Sequence, residues 1–286
     1  HGRLLVVIHH LIMDAVSWRI LLEDLALLYN ADPSKTAVRL PEKTTSYQDW
    51  ASLLNQYANE DLVRRELSYW GNPSRIRAIP FPRDFQISIE DDIEANTTSV
   101  SRILSKQDTQ ALLQDVPGAY RTQVNDVLIS ALFKTIVEWT NGDAMLVDME
   151  GHGREELFDD VTLSRPVGWF TTLFPVVLHG SVQCDPGSIL KSVKEQLRDV
   201  PNRGLGYGVL RYMTKDETVR RQLAEMPKAD ISFNYLGQVD LDVSKSAVFS
   251  SASEGRGSEH GLGNKRSHTV DLIALVVEGE LKVQWY

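Results

Sequence analysis

A single cysteine, Cys184, is all the thiol chemistry the sequence offers, so no intrachain disulfide framework is possible and a reducing, cytoplasmic setting is expected. No apolar run approaches the roughly 20 residues of a membrane-spanning helix, and the opening HGRLLVVIHH has neither the charged start nor the cleavage site of a secretory leader. A soluble chain without a membrane partner is therefore expected. The formal net charge of −9 comes without a basic stripe, which leaves nucleic acid without its electrostatic footprint. No G-x-S-x-G elbow is present, against a Ser/His/Asp hydrolase. The GLGYG run at 204–208 lacks the Lys and Ser/Thr of a phosphate loop and is expected to serve close backbone packing rather than a nucleotide. Internal repeats and low-complexity tracts are missing as well. Both ends look cut, since the chain opens without methionine on a strand-like run and closes on ELKVQWY in the middle of an element.

What remains is a globular balance of 42% hydrophobic and 24% charged residues. Leu4 to Ile8 is a continuous aliphatic run that predicts a buried strand ending on His9 and His10. A helix follows over Ser17 to Tyr29, with Asp14 or Ser17 as its N-cap. A helical pair is predicted over Tyr47 to Tyr57 and Asp61 to Trp70, then a proline-rich linker, NPSRIRAIPFPRDFQISIEDDIEAN. Beyond it come a strand over Thr97 to Leu104, an amphipathic helix over Gln123 to Trp139, and a short strand over Met145 to Met149 that delivers Glu150 into the loop GHGRE. A strand over Trp169 to Leu178, with Trp169 and Phe170 in the core, precedes a helix over Ser188 to Val200. Strands over Asp230 to Tyr235 and Thr269 to Val277 follow, the latter turning at Glu278-Gly279 into Leu281 to Tyr286 as a hairpin. The mixture is α/β or α+β, with residues 1–95 and 96–286 as two units.

The run HHLIMDAVSW, His9 to Trp18, places two histidines where a strand passes into a helix. Adjacent residues of a strand point to opposite sides, so only one histidine can face a given cavity. No third ligand lies at a sensible spacing, and no metal site is expected. The offset from His10 to Asp14 spans the turn and lets the carboxylate brace it or pair with a basic group.

HHxxxDxxSW, complete here at His9, His10, Asp14, Ser17 and Trp18, resembles the signature of the condensation and epimerization domains of nonribosomal peptide synthetases. These share a two-lobed, chloramphenicol acetyltransferase-like α/β (α+β) fold. The resemblance implies that His10 is catalytic, with His9 beside it and Asp14 as the structural brace. YRTQVNDVLISAL at 120–132, with Asn125 in its Asn-Asp pair, and EGHGRE at 150–155, with Glu150 and His152, look like epimerization-domain motifs. The second of these is what condensation domains do not normally carry. SRPVGWFT at 164–171, PNRGLGYG at 201–208 and FNYLGQ at 233–238, with Asn234 and Tyr235, follow in the same order. Pro166 departs from the threonine usual in such domains. Of the two arginines able to pair with Asp14, Arg154 and Arg165, the resemblance favours Arg165. Full domains of this family begin before the HHxxxD strand and continue past the WY strand, so the first lobe is expected to be truncated at its N-terminus and the isolated chain to be inactive.

An epimerization domain inverts the α-carbon of an aminoacyl or peptidyl thioester, which needs one group to take the Cα proton from one face and another to return a proton to the other. His10 and Glu150 are the expected pair, because an imidazole and a desolvated carboxyl can both exchange protons near neutrality. The resemblance further implies that no cofactor is bound by the domain itself and that the substrate arrives on the phosphopantetheine arm of the upstream peptidyl carrier protein domain of the same synthetase. A condensation domain, in which His10 would serve an amine, and an inactive carrier-docking module are the competing expectations. Which of His10 and Glu150 deprotonates the L-isomer is open.

Overall fold

The computed structural model describes residues 2–31, 39–73, 81–86, 88, 90–239, 249, 252, 254–255, 257–258 and 260–286. The chain opens on an extended segment, residues 2–9, that pairs with no strand among the described residues. The aliphatic run at 4–8 is thus not a strand here, and Leu4, Leu5 and Val7 are 63%, 71% and 80% exposed. A β-type sequence becomes a strand only where a neighbour supplies the ladder. Helix α1, Ala15–Asn30, starts on Asp14, whose side chain accepts from the Ser17 amide, and so Asp14 rather than Ser17 is its N-cap. Helix α2, Tyr47–Tyr57, is capped by Ser46 and leads into two short helices, α3 (Asp61–Arg64) and α4 (Leu67–Trp70), where the sequence pattern predicts a single helix over 61–70. Residues 74–80, 87 and 89 of the proline-rich linker lie outside the described residues.

One six-stranded mixed sheet carries the rest. Its strands are β1 (Val100–Ile103), β2 (Ala144–Gly151), β3 (Thr172–His179), β4 (Ile231–Gln238), β5 (Val270–Val277) and β6 (Glu280–Trp285), in the order β1-β6-β5-β4-β2-β3. β2 and β5 flank β4 in parallel, and the remaining pairs are antiparallel. The β5–β6 hairpin turns on Glu278 and Gly279, both at positive φ (50° and 78°), which is what a tight two-residue loop demands. A helical run over 106–120, comprising α5 (Lys106–Gln110), a π turn at Ala111–Asp115 and α6 (Val116–Tyr120), is absent from the sequence reading because Pro117 and Gly118 interrupt its pattern. Pro117 directly follows the π turn, where Val116 N bonds Ala111 O and the regular helical ladder is already interrupted.

Alternation along the strands divides the sheet into two faces. Met145, Val147 and Met149 of β2, Ile231 and Phe233 of β4, Leu272 of β5 and Phe174, Val176 and Leu178 of β3 are buried. They share one core with Ile129, Phe133 and Val137 of α7 (Val124–Thr140) and Ile189 and Val193 of α8 (Pro186–Arg198). Each such side chain contributes about 1.5–3 kcal/mol by leaving water. Helix α7 is fixed at both ends, by a Gln123–Asp126 capping box and by Asn141 at φ 51°. The opposite face is polar where it matters: Asp148 pairs in register with Ser232, and Ser232 with Asp271. Trp70, Tyr207 and Met226 close the far end of this face over Leu146, Pro175 and Val177, leaving a cavity of about 30 Å³, room for roughly one water. Glycines 206 and 208 of GLGYG lie in helical turns, α9 (Leu205–Gly208), and a Cβ at Gly206 would stand 2.0 Å from Glu66 Oε2. The shape of this run is close packing onto the buried Glu66. Helix α10, Glu217–Ala224, completes the fold. No helix among the described residues is long and apolar enough to cross a membrane.

Candidate active site

His9 and His10 end the extended segment, and a turn closes immediately after them through Ile12 N to His9 O at 2.9 Å and Met13 N to His10 O at 3.3 Å. The two rings have different fates. His9 Nδ1 accepts from the Leu11 amide at 3.1 Å. His10 Nδ1 stands 2.8 Å from the Met13 carbonyl, and because a carbonyl only accepts, Nδ1 carries a proton, so that in the neutral ring it is Nε2 that holds the lone pair. The ring is exposed. Trp169 lies beside it, ring centroids 6.0 Å apart, and is 39% exposed where the sequence predicts a core residue, whereas Phe170 is buried as expected.

Asp14 anchors the turn. Its carboxylate accepts from the Ser17 amide (2.7 Å), the Ser17 hydroxyl (2.7 Å) and the Phe170 amide (3.1 Å), and it is 2% exposed. Its cationic partner is Arg154, whose Nη2 donates to both carboxylate oxygens (3.1 and 3.3 Å) and to Ser17 Oγ (2.9 Å). Arg154 also donates to the carbonyls of Leu163 and Pro166 and lies 4.1 Å above the Phe170 ring. The expected partner, Arg165, is elsewhere: it pairs with Glu23 and Asp24 on the outward side of α1. Strand geometry explains the difference. EGHGRE leaves β2 directly beneath the HHxxxD turn, and a fully buried carboxylate needs a cation that can also be buried. The Arg154 side chain is 7% exposed, against 22% for Arg165.

Glycine makes that crossing possible. Gly153 has φ 64°, and a Cβ there would lie 1.7 Å from the Phe170 carbonyl oxygen. Gly153→Ala is expected to cost on the order of 2–4 kcal/mol, combining left-handed strain with overpacking. Chemical denaturation measures it, and an unchanged midpoint would refute this close approach.

Glu150, the penultimate residue of β2, is half-buried on the polar face and accepts a short hydrogen bond from Asn234 Nδ2 of β4. Burial raises its pKa above the ordinary carboxyl value. The strongest opposing influence is the charge of His10, which places the two residues within each other's field, and the charges of Asp271 and His268 act in addition. Asn234 and Glu150 are therefore joined. Tyr235, next in β4, points to the opposite side and packs in the apolar core. Ser17 is part of the Asp14 knot and Trp18 is half-buried on α1. His152 is exposed, its Nδ1 accepting from the Arg154 amide at 3.0 Å. Asn125 sits in the first turn of α7 with Oδ1 buried and without a hydrogen-bond partner among the described residues.

His268 completes the polar face and is not legible in the sequence, since it precedes β5 as a lone histidine. Its Nε2 lies 2.8 Å from Asp148 Oδ2 and its Nδ1 3.4 Å from Asp271 Oδ1. Burial alone would lower its pKa, but the bonds to Asp148 and Asp271 outweigh this and push it up to about 9. Because that lies above the ordinary 6.5, the stability it contributes is complete below about pH 6.5 and is lost as pH rises through about 9. Asp271, which burial alone would raise, is held below its ordinary value by His268, Ser232 and Arg266. The sequence does hold a signal for Asp148, because a carboxylate two residues before Glu150 in a strand must share its face.

A knot of HHxxxD, EGHGR and GWF backbone beside a half-buried glutamate is a specific arrangement, and the family model of the condensation domain matches it over residues 1–286, the whole chain. The chain belongs to the condensation-domain family. Among curated relatives, this condensation-family chain is 39% identical over 282 residues to Bacitracin synthase 3 of Bacillus licheniformis, covering 98% of this chain and 4% of that protein. It is 38% identical over 289 residues to Gramicidin S synthase 1 of Brevibacillus brevis, covering 98% and 26%. The chain thus spans a small part of the length of these relatives. Among solved structures it is similar to the epimerization domain from the third module of tyrocidine synthetase B, at 35% identity and a TM-score of 0.86, over 97% of this chain and 61% of that one. The first condensation domain of the CDA synthetase shares the fold at 16% identity and a TM-score of 0.64, over 97% and 57%. The mixed α/β architecture is that of the condensation domains of nonribosomal peptide synthetases.

Proposed function

We propose that this condensation-family domain is an epimerase that inverts the α-carbon of an aminoacyl or peptidyl thioester held on the phosphopantetheine arm of a peptidyl carrier protein domain within a nonribosomal peptide synthetase. The observation that carries this reading is Glu150. Its carboxyl is half-buried, held above its ordinary pKa by burial, fixed by Asn234 and set within the field of His10, whose Nε2 is free. Two proton carriers acting on one substrate suit an inversion, in which one takes the Cα proton and the other returns one to the opposite face. A thioester suits it too, because its carbonyl spreads the charge left on the α-carbon. A peptide-bond-forming domain has no use for a second proton carrier at this position. The likeness to the tyrocidine synthetase epimerization domain, at 35% identity, supports the same reading.

The test uses the full-length synthetase with carrier-bound L-aminoacyl thioester in deuterated solvent. Deuterium at the α-carbon together with a D-configured product is the expected result. Peptide formation with retained configuration and no deuterium uptake would overturn it.

A further inference from the structure

Asp148, Glu150, Ser232, Asn234 and Asp271 project from one face of three neighbouring strands, so a proton-carrying carboxyl sits among fixed carboxylates. Anions on this face disfavour ionisation of Glu150, and the charge of Asp271 acts on it in that direction. Both ring nitrogens of His268 face carboxylate oxygens, at 2.8 and 3.4 Å. Nε2 donates to Asp148 and a second carboxylate lies beside Nδ1, so two anions flank the ring and favour its cationic form. Its side chain is 9% exposed, so its field is poorly screened. Arg266, 8% exposed, holds the other oxygen of Asp271 and lies 3.7 Å from Glu94. Further titratable neighbours are Tyr207, which feels Asp148, and His10, whose charge acts on Glu150.

We propose that His268 is a positioning residue for Glu150: a buried imidazolium clamped between Asp148 and Asp271 that, together with Arg266, offsets their charge beside Glu150 and leaves this carboxyl able to exchange its proton. The inference rests on the acid–base reading of Glu150. It assigns to a residue outside every recognisable motif the task of keeping the sheet face electrically neutral.

The test is a titration by NMR of the folded protein with labelled histidine and glutamate, which needs no turnover. In the wild type the His268 ring is expected to stay protonated beyond pH 8, and a ring that is neutral at pH 7.5 would overturn the proposal. His268→Gln is expected to raise the Glu150 midpoint by about one pH unit, the order of effect of an uncompensated nearby like charge. Asp148→Asn, which removes an anion and leaves the cation, is expected to lower it. A purely structural His268 would give no such opposite signs, and a Glu150 midpoint that moves in the same direction in both variants, or in neither, would overturn the proposal. If His268→Gln does not fold, the wild-type ring titration and the Asp148→Asn midpoint decide. In turnover, the pH-profile limb belonging to Glu150 is expected to move with the titration while KM stays constant. Should the domain prove not to epimerize, the titrations still stand or fall alone, which separates this inference from the reading it rests on.

Discussion

Glu150→Gln is expected to abolish conversion of the L- to the D-thioester, lowering turnover by about 10²- to 10⁴-fold, the usual worth of a positioned acid–base group. The amide keeps the size of the side chain and can still bond Asn234, so stability and substrate binding should hardly change. What it removes is the proton. His10 remains, with Nδ1 tied to the Met13 carbonyl and Nε2 free, so the isomer that presents its Cα hydrogen to His10 should still exchange that hydrogen with solvent without being inverted. His10→Ala should give the mirror image, exchange confined to the isomer that faces Glu150. Deuterium content and chirality of the released thioester, measured for both isomers and both variants, check this. Inversion at the wild-type rate in Glu150→Gln would remove Glu150 from the chemistry. Because burial raises the Glu150 pKa, the limb that disappears from the pH profile should be one lying above the ordinary carboxylate range.

Asp14→Ala is expected to act through the fold. It deprives Arg154 of its counter-ion in a site where neither side chain exceeds 7% exposure, and leaving one member of a buried pair costs about 3–5 kcal/mol. The Ser17 and Phe170 amides lose their acceptor as well. The signature of this cause is non-additivity. Asp14→Ala combined with Arg154→Met should be less destabilised than the sum of the single variants, since the double variant buries no lone charge. Arg165→Met should cost within about 1 kcal/mol, because its pairs with Glu23 and Asp24 are partly solvated. Denaturant midpoints of the four variants measure this. Equal losses for Arg154→Met and Arg165→Met would contradict the pairing seen here.

The parts of this site legible in the sequence are those whose cause is local. The turn from His10 to Asp14, the delivery of Glu150 by an apolar strand and the Glu278-Gly279 hairpin each follow from a few adjacent residues. Partner choice does not follow, because Asp14 meets Arg154 across 140 residues and only the course of the loop that leaves β2 decides between two arginines. His268 stays hidden for the same reason: its partners, Asp148 and Asp271, come from strands that meet only through β4. Residues 4–8 and 106–120 mark the limits of pattern reading. The first has a strand's composition and no ladder partner among the described residues, and the second is helical in spite of Pro117, which follows a π turn that already breaks the regular ladder.

The placement of β1 bears on how the chain is made. Among the described residues β1 bonds only to β6, with Val100 opposite Trp285, so about 185 residues must follow it out of the ribosome before it meets this partner. At roughly 5–20 residues per second that is on the order of 10–40 s of synthesis. Through that interval Val100 and Ile103, which remain more than half exposed even in the finished sheet, sit on an open edge with free backbone donors and acceptors. Closure of this sheet therefore waits until β6 has been made, and the interval before it is when the nascent chain depends most on chaperones to keep that edge from pairing with another molecule.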